Sequence, residues 1–153
     1  MAHNITTSRP WWFWIITIAF LLWSLIGCSM YLAERLLPEN SYVEYFGEAM
    51  SGLRGITPVW ATAGYAVGVW FGLAGVISLM LRKRVAVSLF FASLIGAVVG
   101  FLPYFYDSRF KAVLTGADYG FMIFIFAQCL FILWFARKML KPAPAAVVGE
   151  QFS

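Results

Sequence analysis

Residues 58–106 read PVWATAGYAVGVWFGLAGVISLMLRKRVAVSLFFASLIGAVVGFLPYFY. Two long apolar runs, 58–81 and 85–106, flank a turn of three consecutive cations, Arg82, Lys83 and Arg84. A bilayer core about 30 Å thick needs about 20 apolar residues in a helix, so each run is long enough to cross it. The stretch therefore predicts two transmembrane helices joined by a short polar turn.

Two further apolar runs precede and follow this stretch, so four spans are predicted, at about 11–35, 58–81, 85–106 and 119–136. Of the 153 residues, 62% are hydrophobic and only 12% are charged, with a mean hydropathy of +0.81, which lies outside the range of soluble domains. We expect an all-α integral membrane protein, with four transmembrane helices in an antiparallel up-down bundle over 11–138. Residues 1–10 form a short leader, and 139–153 form a tail without periodicity.

The distribution of charge predicts the orientation of this bundle. Seven cations lie beside one set of span ends and four beside the other, and six of the seven acids accompany the four. The positive-inside rule then makes both termini cytoplasmic. The residues that carry the signal are Arg82, Lys83, Arg84, Arg137 and Lys138. A binding site for anionic lipid headgroups is the alternative interpretation of the Arg-Lys-Arg turn, and the cations do not form the stripe that nucleic-acid binding requires.

Small residues repeat every three or four positions in the second span and in the third. Lipid provides no hydrophobic drive for helix association, so transmembrane helices gain contact where small side chains let their backbones approach. We expect the two spans to pack closely through these positions, which are Gly64, Gly68, Gly72 and Gly75 in the second span and Ala92, Gly96 and Gly100 in the third.

The loop between the first two spans has a helical pattern of its own. Ser41 and Glu44 have the spacing of a capping box, and apolar residues from Tyr42 to Leu53 recur at helical intervals opposite Glu44, Glu48 and Ser51. This pattern predicts one short amphipathic helix on the outer leaflet.

Four side chains with polar atoms fall near the middle of three spans: Trp23, Ser24, Trp70 and Gln128. Polar groups at that depth need partners because hydrocarbon supplies none. One interpretation is that the four hydrogen-bond to one another and hold the helices together. The other is that they line a small cavity for a neutral polar solute, since midplane sites at helix interfaces are where transporters bind.

The fourth span carries an aromatic face. Phe121, Phe124, Phe131 and Phe135 share one side of the helix with Gln128. We expect this face either to be exposed to lipid, with Gln128 turned inward, or to contact a second copy of the chain or another membrane protein.

Catalytic and metal-binding patterns are missing from the sequence. His3 is the sole histidine, and Cys28 and Cys129 both lie within spans, where they are expected to be packing residues. No nucleophile with an adjacent base, metal-ligand spacing or phosphate loop is present. We therefore expect no cofactor and no enzymatic activity.

Five short motifs resemble a group of small four-span proteins of the bacterial inner membrane that genomes often label as sugar transporters. The resemblance covers about 11–138 and rests on WSLIG at 23–27, PVWA at 58–61, LRKRVA at 81–86, SLIG at 93–96 and LWFAR at 133–137. It implies a bacterial inner-membrane location. The group's usual W-N-L-x-G motif has Ser24 here in place of Asn, which removes an amide from near the midplane.

Two functions follow as expectations. The first is a non-enzymatic accessory or assembly subunit whose partners are the lipid bilayer and other membrane proteins. The alternative is an oligomeric transporter or channel for a small neutral solute such as a sugar. A cavity that Trp23, Trp70 and Gln128 share would favour transport, and a filled core would favour the accessory role.

Overall fold

The computed structural model describes residues 10–141, so most of the predicted leader and the tail beyond Lys141 lie outside the described residues. Within this range 87% of the residues are helical and none is in a strand. The elements in chain order are α1 (Trp11–Leu36), α2 (Glu39–Phe46), α3 (Glu48–Ile56), α4 (Val59–Met80), α5 (Val85–Tyr106), α6 (Ser108–Lys111) and α7 (Gly116–Met139).

Four of these helices, α1, α4, α5 and α7, are long and apolar enough to cross a membrane. The predicted all-α membrane fold with four spans is thereby confirmed. The first three spans end within two residues of their predicted bounds, whereas α7 is three residues longer at each end than the predicted 119–136. The N-terminal extension has a local cause: the Asp118 carboxylate accepts hydrogen bonds from the backbone N–H and the hydroxyl of Thr115, which makes a capping box.

Helices α4 and α5 form an antiparallel hairpin with close backbone contact. A Cβ built on Gly64 would lie 2.7 Å from the backbone nitrogen of Gly100, and one on Gly96 would lie 2.5 Å from that of Gly68. Nearer the turn, a Cβ on Gly75 would lie 2.7 Å from the ring of Phe90. Only glycine allows this approach, because any side chain there would overlap the facing helix.

On α5, the residue that contacts α4 next to Gly96 is Ser93, whereas the sequence predicted Ala92. Ser93 is buried and donates a hydrogen bond from Oγ to the carbonyl of Gly68, at 2.6 Å, and a Cβ on Gly72 would lie 3.2 Å from the same Oγ. Ala92 is only half-buried. Since each residue turns the helix by about 100°, the position after Ala92 faces the carbonyls of α4.

Helices α1 and α7 meet through aromatic side chains, while their backbones stay further apart than those of α4 and α5. Phe13 stacks on Phe135, Phe20 stacks on Phe131, and Trp23 contacts Phe124 edge-on, with ring centroids 5.8, 6.0 and 5.5 Å apart. The predicted phenylalanine face of the fourth span therefore packs against α1 of the same chain. The rings of Phe121, Phe124 and Phe131 keep about half of their surface exposed.

The two ends of the bundle differ, and we name them by their content. The capped end carries α2, α3 and α6, and the basic end carries residues 82–84 and 137–141. A cluster of apolar side chains fills the bundle near the basic end: Phe13, Val76, Leu79, Ala86, Phe90, Ile132, Leu133, Phe135 and Ala136. This basic-end core joins all four spans.

The capped end contains two short helices where the sequence predicts one. Gly47, with a φ of +86°, breaks the segment between α2 and α3 because only glycine adopts this conformation readily. Ser51, assigned to the polar face, is instead buried and donates a hydrogen bond to Glu39, which ties α3 to α2. Arg54 donates to the carbonyl of Leu37 at 3.1 Å and lies 4.8 Å above the ring of Tyr42.

Candidate functional site

A cavity of about 630 Å³ occupies the half of the bundle beneath α2 and α3. Its wall includes side chains from all four spans and runs along α4 from Ala61 to Val76, about 22 Å at 1.5 Å per residue. This volume lies within the range of small-molecule sites, about 300–1,000 Å³. The wall is mostly apolar and rich in aromatic rings, among them Phe20, Phe101 and Phe121.

The basic-end core forms the floor of the cavity. Val76, Phe90 and Ile132 belong both to the cavity wall and to this core, and each is at least 96% buried. Phe13 and Leu79, on the far side of these residues, have no exposed surface. The cavity is thus closed toward the basic end.

The cavity opens where α1, α3 and α7 meet near the capped end. Ile26, Met30, Met50 and Phe121 line it and are also between 38 and 54% exposed on the outside, so they form the rim. Trp23 is the last residue of α1, going toward the capped end, that has a ring contact with α7. In the described chain no ring contact joins α1 to α7 beyond Trp23, and the exposed rim residues mark the opening of the cavity.

Three of the four predicted midplane residues, Trp23, Ser24 and Gln128, line this cavity. Trp23 is the thirteenth residue of α1 and Gln128 the thirteenth of α7, so the two lie at similar depth. Among residues 10–141 no hydrogen bond joins the Gln128 amide to another protein group, and no fully buried polar side-chain atom lacks a partner. The Gln128 amide therefore faces the open space of the cavity, where a ligand or water can reach it.

Trp70 does not join the other three, which corrects the expected set of four. It is 43% exposed on the outer surface of α4 and does not line the cavity. Trp70 lies two positions from both Gly68 and Gly72, which is about 200° around the helix from the face that contacts α5. The interpretation of the four residues as a mutually hydrogen-bonded set does not apply to Trp70, since the structure separates it from the others.

Polar side chains line the outer part of the cavity, next to the apolar rim residues. Glu34, Tyr65 and Asp118 line the outer part of the cavity. Glu34 is paired with Arg35 at 2.5 Å, which offsets its charge. Tyr42 closes the cavity from above, and burial, together with the nearby Glu34 carboxylate, raises the pKa of the Tyr42 phenol, which therefore stays neutral. The outer part of the cavity thus presents carboxylates and phenol hydroxyls, and the aromatic wall and the Gln128 amide lie below them.

Two lining residues were missed or misjudged from the sequence. Cys129, expected only to pack, lines the cavity next to Gln128, whereas Cys28 is buried between α1 and α4 with its thiol 3.6 Å from the carbonyl of Val69. Tyr65 lines the outer part and packs edge-on against Tyr31 of α1, with ring centroids 5.5 Å apart. The sequence did contain a signal for the position of Tyr65. Tyr65 directly follows Gly64, so its side chain lies about 100° around α4 from the face that contacts α5, on the side toward α1.

The fold defines a polytopic membrane protein, which encloses a cavity that is closed toward the basic end. In the part of the chain that the structure describes, no three His, Cys, Asp or Glu side chains are placed to hold a metal ion. Comparison with protein-family models, curated proteins and solved structures found no match, so the four-span bacterial group remains a resemblance of short motifs.

Proposed function

We propose that this chain is a multi-pass protein of the bacterial inner membrane that binds a small neutral molecule in the cavity and carries it across the bilayer. The observation that carries the proposal is the cavity itself, with the Gln128 amide free on an otherwise largely apolar wall. Ligand sites in proteins typically combine such a wall with a few polar groups that fix orientation. The cavity therefore favours a transporter, the second of the two expected functions, over the accessory role.

The wall also limits the chemistry of the ligand. Near mid-depth the polar side-chain groups of the wall are the Ser24 hydroxyl, the Trp23 indole N–H, the Gln128 amide and the Ser93 hydroxyl, which already donates to the carbonyl of Gly68. The rest of the wall there is mostly apolar and includes the rings of Phe20 and Phe121. A sugar has a hydroxyl on nearly every carbon and would leave most of them unpaired, at a cost of about 1–3 kcal/mol for each buried group. We therefore infer a molecule with an apolar body and one or two hydrogen-bonding groups.

Orientation follows from the charges in this proposal. The basic end, with residues 82–84 and 137–138, faces the cytoplasm, and the capped end faces the periplasm. The cavity then opens between α1, α3 and α7 in the periplasmic half of the bundle, with Tyr42 above it, and the basic-end core closes it toward the cytoplasm. Transport requires this core to open, and the α1–α7 contact is the one best suited to separate because side chains alone bridge it.

The native cysteines provide the test. In a Cys28→Ala variant Cys129 is the only thiol, and we expect a small neutral methanethiosulfonate to modify it in the folded protein. A bound ligand should slow that reaction and change the emission of Trp23. In the matched Cys129→Ala variant the remaining thiol, 5% exposed and outside the cavity, should react only after unfolding.

Residue specificity is tested with a second pair of variants. Gln128→Leu should weaken ligand protection of Cys129, because the polar group of the ligand loses its partner. Trp70→Phe should leave protection unchanged, since Trp70 lies on the outer surface. If no compound from a screen of alcohols, phenols and sugars protects Cys129 in the folded protein, the transport proposal fails.

The filled basic end favours a second function, an accessory or assembly subunit. Nine side chains close the bundle there, and the outer surface of α7 exposes apolar residues such as Ile123 and Leu130 to lipid or to a partner. In that role the cavity holds no transported solute. Purification of the native complex in a mild detergent should then yield a stoichiometric membrane partner that Leu130→Ser removes, whereas a chain that purifies alone supports transport.

A further inference from the structure

A groove of about 440 Å³ lies at the basic end, where α5 begins and α7 ends. Its wall consists of three cations, Arg84, Arg137 and Lys141, and two apolar side chains, Val87 and Leu140. Arg84 is 53 positions from Arg137 in the sequence, so the fold brings it to the other two cations. The groove lies at the boundary between the membrane core and water, because both helices end there.

The cations of the groove have no acid to offset them in the described chain. All six acids between residues 10 and 141 lie at the capped end, and so do the two ion pairs found in this range, Arg35 with Glu34 and Arg109 with Asp107. The N-terminus of α5 lies beside Arg84 without a side-chain cap, although the N–H groups of Ala86 and Val87 donate to the carbonyls of Lys83 and Arg84. The positive end of the helix dipole adds to the charge of the groove. Positive charge of this kind at a membrane surface attracts an anion.

We propose that the groove binds the phosphate headgroup of an acidic phospholipid. Guanidinium groups pair with phosphate oxygens in bidentate geometry, and the two arginines supply two such groups. Val87 and Leu140 give the start of the acyl chain an apolar contact. A zwitterionic lipid fits less well because its own cation meets the third cation, Lys141. The proposal is independent of the function of the cavity.

The test measures lipid binding to the full-length protein in a neutral detergent by native mass spectrometry. Phosphatidylglycerol, phosphatidylcholine and inorganic phosphate are titrated separately. Each cation near an anionic membrane surface contributes a factor of about five to affinity, so Arg84→Gln with Arg137→Gln should weaken phosphatidylglycerol binding by about 30-fold. Lys141→Gln should weaken it by about fivefold.

The matched control removes the same charge outside the groove. Lys83 does not line the groove, and neither does Lys138, whose ammonium lies 5.1 Å from the Trp134 ring. Lys83→Gln with Lys138→Gln should therefore change the affinity by less than about fivefold. Equal losses in the two double variants would overturn the site in favour of diffuse attraction. Equal binding of phosphatidylcholine would overturn it by showing that the charge of the lipid does not contribute. Inorganic phosphate that binds as tightly as the lipid would show a free-anion site instead.

Discussion

Gly96→Ala should destabilise the bundle, because a single methyl group there would meet the backbone of α4. The new Cβ would lie 2.5 Å from the Gly68 nitrogen and 2.7 Å from the Gly64 carbonyl oxygen, whereas ordinary contact begins at 3.4 Å. Neither backbone atom can rotate away as a side chain would, so α5 has to move by about 1 Å relative to α4.

The magnitude follows from two opposing effects. Overpacking of this kind costs about 1–3 kcal/mol, and a gap of that size also forfeits a quarter to a half of each dispersion contact along the hairpin. Replacing glycine by alanine within a helix returns about 0.5–1 kcal/mol. We therefore expect a net loss of about 1–2 kcal/mol in the free energy of unfolding.

Gly120→Ala is the matched control, since Gly120 lies within α7 and a Cβ there would meet nothing within 4 Å. It should gain about 0.5–1 kcal/mol, so the two variants should differ by about 2 kcal/mol, or about 30-fold in the unfolding equilibrium. Gly100→Ala, whose Cβ would lie 3.1 Å from the Tyr65 nitrogen, should fall between them.

Unfolding is followed by tryptophan emission during titration with sodium dodecyl sulfate in mixed micelles, with near-ultraviolet circular dichroism as a second probe. The reasoning predicts the order Gly120→Ala, Gly100→Ala, Gly96→Ala from most to least stable. A Gly96→Ala protein that resists the detergent as well as Gly120→Ala does would refute the close α4–α5 contact.

Three further predictions concern the ends of the bundle. Arg82 has a φ of +60°, and the N–H groups of residues 82 and 83 donate to the carbonyls of residues 79 and 78, which makes a Schellman motif at the end of α4. A side chain in this left-handed conformation is strained, so Arg82→Gly should raise the free energy of unfolding by about 1–2 kcal/mol in the same titration. An unchanged free energy of unfolding would contradict the strain at Arg82. Hydrogen bonds from Arg109 lower the pKa of Asp107, so the cap of α6 should persist as pH falls through the ordinary aspartate range and be lost only below it. An NMR titration of the Arg109 side chain measures this, and Asp107→Asn should abolish the transition. Glu44→Cys and Ala112→Cys, each in a protein without the native cysteines, should react with an impermeant maleimide from the periplasm, and labelling from the cytoplasm alone would reverse the proposed orientation.

The four spans and the α4–α5 contact follow from the sequence because both depend on local information. A span is recognised when the length of an apolar run matches the thickness of a membrane, and this match does not depend on the rest of the chain. The glycines of α4 and those of α5 are separated by one short turn, so the two helices have to lie side by side, and their small residues mark the faces that meet.

A cavity was one of two interpretations of the midplane residues, and only tertiary structure decided between them. Every face of a transmembrane helix is apolar, so hydropathy does not tell which residues face the interior, and Trp70 and Cys129 were assigned to the wrong surroundings for that reason. Rotation of α4 about its axis, fixed by its contact with α5, turns Trp70 outward. The space that Gln128 faces depends on how aromatic rings far apart in the sequence, such as those of Trp23 and Phe124, pack between α1 and α7.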